Sequence, residues 1–198
     1  MSWYQVIQDK VYKTFRRLVS PLVNFFAKRG TPPWAISLMG MLLTLLSFIL
    51  MYRGWMRVAG GFVLFAALWD TLDGEVARLQ GSESKKGAFL DSVLDRFSEF
   101  TVFLGFFLFL NLSRLDKVFL FALLFSSLAV SYIRARAEGI GIECKVGIFD
   151  RPLRVTILGI ALVIIPDYME WVLRLLLVGT SFTAVHRFVY VLTRKKVS

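Results

Sequence analysis

The chain has 198 residues, 57% of them hydrophobic, with a mean hydropathy of +0.64. That is too apolar for a water-soluble domain and points to a single integral membrane domain. The net charge of +10 has no water-soluble basic face to sit on, which argues against nucleic acid as a partner; positive-inside anchoring and attraction of anionic headgroups and phosphorylated substrates remain.

Residues 1–29 alternate apolar positions (Val6, Ile7, Val11, Phe15, Leu18, Val19, Leu22, Phe25, Phe26) with Lys10, Lys13, Arg16, Arg17, Lys28 and Arg29. The three- and four-residue steps predict an amphipathic helix lying in the membrane interface, and Gly30-Thr31-Pro32-Pro33 ends it. No apolar core of a cleavable signal peptide is expected there. Residues 31–52 carry no charge and are long enough to span. The later apolar runs (58–69, 100–112, 118–133, 155–166 and 175–185) are shorter and reach spanning length only where a helix continues into a polar segment. The expected fold is all-α and membrane-integral: an amphipathic juxtamembrane helix over 1–30, then six transmembrane helices within 31–198. With the N-terminus in the cytoplasm, eighteen lysines and arginines fall inside, against Arg53, Arg57, Arg114 and Lys117 outside. Both termini, and the turn between the second and third spans, then face the cytoplasm.

Around that turn the sequence reads Asp70-x2-Asp73-Gly74-x2-Ala77-Arg78-x8-Gly87-x3-Asp91-x3-Asp95. An ionised carboxylate within a bilayer costs roughly 2.5–3.5 kcal/mol on insertion scales, so four mark a site. Asp70 and Asp73 share one helical face, as do Asp91 and Asp95. Placed on antiparallel neighbouring helices, they converge. Uncompensated, such charges repel and some protonate; hard divalent cations make the arrangement favourable. Oxygen donors without a nearby His or Cys point to Mg²⁺ or Mn²⁺, and two ions about 4 Å apart clamping a phosphoryl group is the natural reading. Gly74, Ala77 and Gly87 clear space beside the carboxylates, for a ligand or for close helix packing. Arg78 suits pyrophosphate oxygens. Arg96 and Glu99 are placed to orient the carboxylates. His186 reads as an ordinary helix residue. Cys144, the only cysteine, excludes an intrachain disulfide and reads as a small loop or interface residue.

These eight positions resemble the signature of the CDP-alcohol phosphatidyltransferases, D-x2-D-G-x2-A-R-x8-G-x3-D-x3-D. The resemblance covers most of the chain, including the amphipathic N-terminus and six spans. It departs where many relatives read Pro-Asn-x-(Ile/Val)-Thr and this chain reads Pro33-Trp34-Ala35-Ile36-Ser37. The resemblance implies attack by an alcohol on the β-phosphorus of a CDP-alcohol, CDP-diacylglycerol or a CDP-archaeol-type lipid, with CMP leaving. It implies that Asp70, Asp73 and Asp91 bind metal, and that Asp95 deprotonates the acceptor and shares the second metal. Gly74 and Ala77 would shape the cytidine pocket, with Gly87, Pro33 and Ser37 beside it and Arg78 on the diphosphate. The family is typically homodimeric.

For the acceptor, Ser131-Tyr132-Ile133-Arg134-Ala135-Arg136-Ala137-Glu138-Gly139 closes the fourth span, Arg151-Pro152-Leu153-Arg154 opens the fifth, and Arg187 lies on the sixth. Five arginines and Ser131 at one cytoplasmic mouth suggest an anionic acceptor; a snorkelling basic rim is the alternative. The segment looks like the subgroup using inositol 1-phosphate, the phosphatidylinositol-phosphate and archaetidylinositol-phosphate synthases. Phosphatidylglycerophosphate synthase and CDP-inositol-dependent di-inositol phosphate synthases remain alternatives. Exchanging Arg151 or Arg154 for alanine is expected to raise the KM of the acceptor far more than that of the CDP-lipid. A divalent-cation transporter would explain the aspartates but not Gly74, Ala77 and Arg78.

Overall fold

The computed structural model describes residues 19–194, and the described residues are helical with no strand. A helical stretch over 19–28 precedes six helices: α1 (Pro33–Tyr52), α2 (Met56–Gln80), α3 (Lys85–Phe109), α4 (Arg114–Gly139), α5 (Arg151–Ile164) and α6 (Met169–Thr193), with a 3₁₀ turn, Pro166–Tyr168, before the last. The amphipathic reading of residues 1–18 lies outside the described residues. Within 19–28, Val19 and Val23 are buried with Ile36, Leu72 and Val76, so this apolar face packs on α1 and α2.

Local chemistry sets the boundaries. Pro33 stands at the start of α1, where its missing N–H costs nothing. Gly81 ends α2 in the left-handed region (φ 62°), with Gly81 N–H donating to Arg78 O and Ser82 N–H to Ala77 O; only glycine adopts that backbone readily. Ser84, Ser113 and Asp150 cap α3, α4 and α5 by accepting from backbone N–H groups.

Among the described residues, three helical segments, Pro33–Tyr52, Arg114–Gly139 and Pro166–Thr193, are long and apolar enough to cross a membrane on those criteria alone. Helices α2 and α3 run on from their apolar runs into the aspartate segments, each reaching 25 residues. Helix α5 takes in only four residues, 151–154, ahead of its apolar run. Its 14 residues rise about 21 Å, short of a hydrocarbon core of about 30 Å.

Helix α1 packs along both α2 and α3, α2 packs against α5, and α4 against α6. The α1 contact face is Ser37, Gly40, Thr44, Ser47 and Met51, all buried and mostly small, as close packing in a membrane requires. Ser47 Oγ donates to Ala59 O across the α1–α2 contact. Between α2 and α5 the backbones approach directly: a β-carbon on Gly60 would stand 2.9 Å from Gly159 O and 2.8 Å from Val163 N. The two aspartate helices, expected to be neighbours, have little direct contact. The space between them is bounded by α1 on one side and by the start of α5 on another.

Candidate active site

The C-terminal part of α2 and the N-terminal part of α3 carry the motif, joined by the capped turn at 81–84. Beside that turn lies a cavity of about 480 Å³ lined by Pro33, Trp34 and Ser37 of α1, Asp73, Gly74, Ala77 and Arg78 of α2, Ser84 of the turn, and Lys86, Gly87 and Asp91 of α3, among others. Pro33, Ser37, Gly74, Ala77, Arg78 and Gly87, selected from sequence as nucleotide contacts, therefore share one wall-to-wall cavity with two of the aspartates. Lys86 and Trp34 join them without having been selected; each is an unremarkable helix-end residue in sequence.

Asp73 is buried at the cavity floor. Its Oδ2 accepts from Ser37 Oγ at 2.5 Å and its Oδ1 from Gly74 N–H at 2.5 Å. Asp91 comes within hydrogen-bonding reach of Asp73. The guanidinium of Arg78 pairs with Glu75 at 2.6 Å. It also lies over Gly74, whose added β-carbon would stand 3.6 Å from either terminal nitrogen. Gly87 donates its N–H to Ser84 Oγ at 3.0 Å, so the residue that opens the cavity also completes the α3 cap.

Asp70 and Asp95 face another cation. Arg151, at the start of α5, places Nη2 at 2.8 Å from Asp70 Oδ2 and Nη1 at 2.6 Å from Asp95 Oδ1. One planar fork thus holds carboxylates from two helices that scarcely touch. Arg96 Nη1 reaches Asp95 Oδ2 at 3.2 Å. Gly40 is a further requirement that sequence reading missed, since a β-carbon there would collide with Asp70 Oδ1.

The other basic residues divide by burial. Arg154 is 1% exposed; it pairs with Glu99 Oε1 through Nη2 at 2.8 Å and donates to Phe149 O at 2.9 Å. Glu99, expected to orient the aspartates, instead takes Arg154 and Ser127. Arg187 is 4% exposed and donates to Val146 O and Val130 O, both at 2.8 Å, clamping the α4–α5 connection to α6. Arg154 thus commits all three of its nitrogens to the protein interior, and Arg187 its Nε and Nη1. Arg134 and Arg136 are exposed, Arg134 pairing with Glu138 at 2.9 Å, and Ser131 is half-buried. His186 is exposed beside the Phe182 ring, and Cys144 is buried in the α4–α5 connection.

Four carboxylates are a hard oxygen donor set, and the one group already standing between Asp70 and Asp95 is a cation, so the residues fit a divalent ion of the Mg²⁺ or Mn²⁺ kind. Among the described residues, no three carboxylate, imidazole or thiolate groups stand close enough to enclose an ion without side-chain adjustment. Cavity shape gives a direct test of the nucleotide wall. Ala77→Leu fills part of the cavity and is expected to raise the KM for a CDP-lipid by about tenfold or more with little change in melting temperature. An unchanged KM would take this cavity out of donor binding.

A family model described as CDP-alcohol phosphatidyltransferase matches residues 31–186. The archaetidylinositol phosphate synthase of Methanothermobacter thermautotrophicus is 32% identical over 196 residues, covering 96% of this chain and 98% of that protein. The phosphatidylinositol phosphate synthase of Cutibacterium acnes is 32% identical over 145 residues, 71% of this chain and 70% of that protein. Among solved structures, the phosphatidylinositol phosphate synthase of Mycobacterium tuberculosis with CDP-DAG bound superposes with a TM-score of 0.80 at 27% identity, covering 91% of this chain and all of that one. The same mycobacterial enzyme in complex with manganese and citrate gives a TM-score of 0.77 at 27% identity, over 90% and 92% of the two chains.

Proposed function

The chain belongs to the CDP-alcohol phosphatidyltransferase family, and from that premise we propose that this membrane transferase moves a phosphatidyl or archaetidyl group from its CDP-lipid to inositol 1-phosphate. The observation that carries the reading is the single cavity that gathers Pro33, Ser37, Gly74, Ala77, Arg78 and Gly87 beside Asp73 and Asp91. Two relatives named for inositol-phosphate-containing products support the acceptor. So does Arg151, whose fork suits a phosphate as well as the carboxylates it now holds.

In this reading the cytidine and diphosphate occupy the cavity, with Arg78 and Lys86 on the diphosphate oxygens. Asp70, Asp73, Asp91 and Asp95 would hold divalent metal, two ions in all, which supplies charge neutralisation at the transferring phosphoryl group. Ser37 fixes the Asp73 carboxylate in place. Asp95 accepts the proton of the acceptor hydroxyl as its oxygen bonds to the β-phosphorus, and the bond to CMP breaks with its electron pair leaving on CMP. Positioning and charge neutralisation supply most of the rate, as in phosphoryl transfer generally. Arg151, Arg134 and Arg136 are the acceptor-side cations, with Ser131 beside them. Arg154 and Arg187 serve that side by holding the α5 start and the α4–α5 connection. A cytoplasmic opening, six membrane crossings with the 14-residue α5 met by local thinning of the bilayer, a 1–30 juxtamembrane element and a homodimer belong to the same proposal, on the charge bias and the family resemblance.

The test is CMP release from purified protein with CDP-diacylglycerol or its diether counterpart, Mg²⁺ or Mn²⁺, and each acceptor in turn. Release with inositol 1-phosphate, lost on chelation and restored by either ion, is expected. Release only with glycerol 3-phosphate would keep the reaction and discard the acceptor.

A further inference from the structure

Behind the carboxylates, Glu99 receives Arg154 Nε at 3.2 Å, Arg154 Nη2 at 2.8 Å and Ser127 Oγ at 2.5 Å, all on Oε1. The other oxygen, Oε2, is buried with no protein partner, although Glu99 is only 2% exposed. Three residues before Arg154 on α5, Arg151 has the matching lack: its two terminal nitrogens hold Asp95 and Asp70, while Nε is buried with no protein partner. Both residues line the same void of about 10 Å³, together with Asp70 and Ser98. Glu99 is also close enough for its charge to act on Arg151. A buried acceptor and a buried donor, each unsatisfied, cost about 1–3 kcal/mol apiece. A void of this size holds one water, which needs two or more polar partners.

We propose that one buried water joins Arg151 Nε to Glu99 Oε2, and that Glu99 is thereby the positioning residue for Arg151. Ser127 and Arg154 fix Glu99 to α4 and α5, so the anchor is rigid. The forked end of Arg151 faces the site and its Nε end is tied behind it. The guanidinium can then exchange a carboxylate for the phosphate of an acceptor without losing its place. The inference rests on the proposed acceptor role of Arg151.

Calorimetric binding of inositol 1-phosphate to the full-length protein in detergent with Mg²⁺ tests it, using Glu99→Gln, Arg151→Ala and the double variant. Arg151→Ala is expected to weaken binding about 10- to 100-fold and Glu99→Gln about tenfold, with the KM for the CDP-lipid unchanged in Glu99→Gln. The double variant should bind no more weakly than Arg151→Ala alone. Effects that multiply would overturn the inference, because Glu99 would then act independently of Arg151. No effect of Arg151→Ala would instead overturn the acceptor reading beneath it, a distinct pattern. A structure at a resolution that orders waters decides the matter even where Glu99→Gln does not fold. One water bonded to both atoms supports the link, and a dry void overturns it.

Discussion

Asp95→Asn is expected to lower kcat for CMP release by about 10²–10⁴-fold and to leave binding of the CDP-lipid near wild type. The split follows from geometry. Asp73 and Asp91 line the 480 Å³ cavity and Asp95 does not. Asp95 lies one helical turn farther along α3, with Arg151 at 2.6 Å and Arg96 at 3.2 Å. Asparagine keeps the volume but cannot accept a proton and is a poor ligand for a hard cation, so the acceptor hydroxyl loses its base while the nucleotide wall stays intact. Steady-state CMP release and equilibrium binding of the CDP-lipid to the same preparation measure the two halves. A loss of less than tenfold in kcat would remove Asp95 from proton transfer. A parallel loss of donor affinity would make it a donor-site residue.

Arg154→Ala is expected to destabilise the protein by about 3–5 kcal/mol, because it leaves Glu99 as a buried, uncompensated carboxylate. The sequence treats Arg151 and Arg154 as equals, three residues apart on one helical face. The structure separates them: Arg151 meets the aspartates, and Arg154 is enclosed between Glu99 and Phe149 O. Denaturation in detergent should show the loss directly. A joint exchange, Arg154→Met with Glu99→Leu, should recover much of it, since replacing both partners of a buried pair by apolar groups is often close to neutral. Wild-type stability in Arg154→Ala with a raised acceptor KM would return Arg154 to the substrate side.

The contrast shows what was legible in the chain. Helical spacing is a local property, so the faces shared by Asp70 with Asp73 and by Asp91 with Asp95 could be read from neighbours three or four residues away. The small residues lining the cavity were legible because they stand on the same faces. The partner of Arg154 lies at Glu99 and that of Asp70 at Arg151, and no periodicity reports a contact across such separations. Gly40 carries no signal of its own; its role exists only because α1 crosses α2 at Asp70. The end of α5 has a local cause. The apolar run continues to Pro166, but a residue before proline is pushed out of the helical region, and α5 ends at Ile164.

The Arg151 fork has a consequence for biogenesis. A ribosome delivers Asp70, Asp73, Asp91 and Asp95 to the membrane first, and it still has 56 residues (151 − 95) to add before Arg151 exists. At about 5–20 residues per second that is about 3–11 s. Throughout that interval Asp70 and Asp95 are without the guanidinium that later spans them, so the joining of α2 to α3 at the site is completed only once the start of α5 has been made.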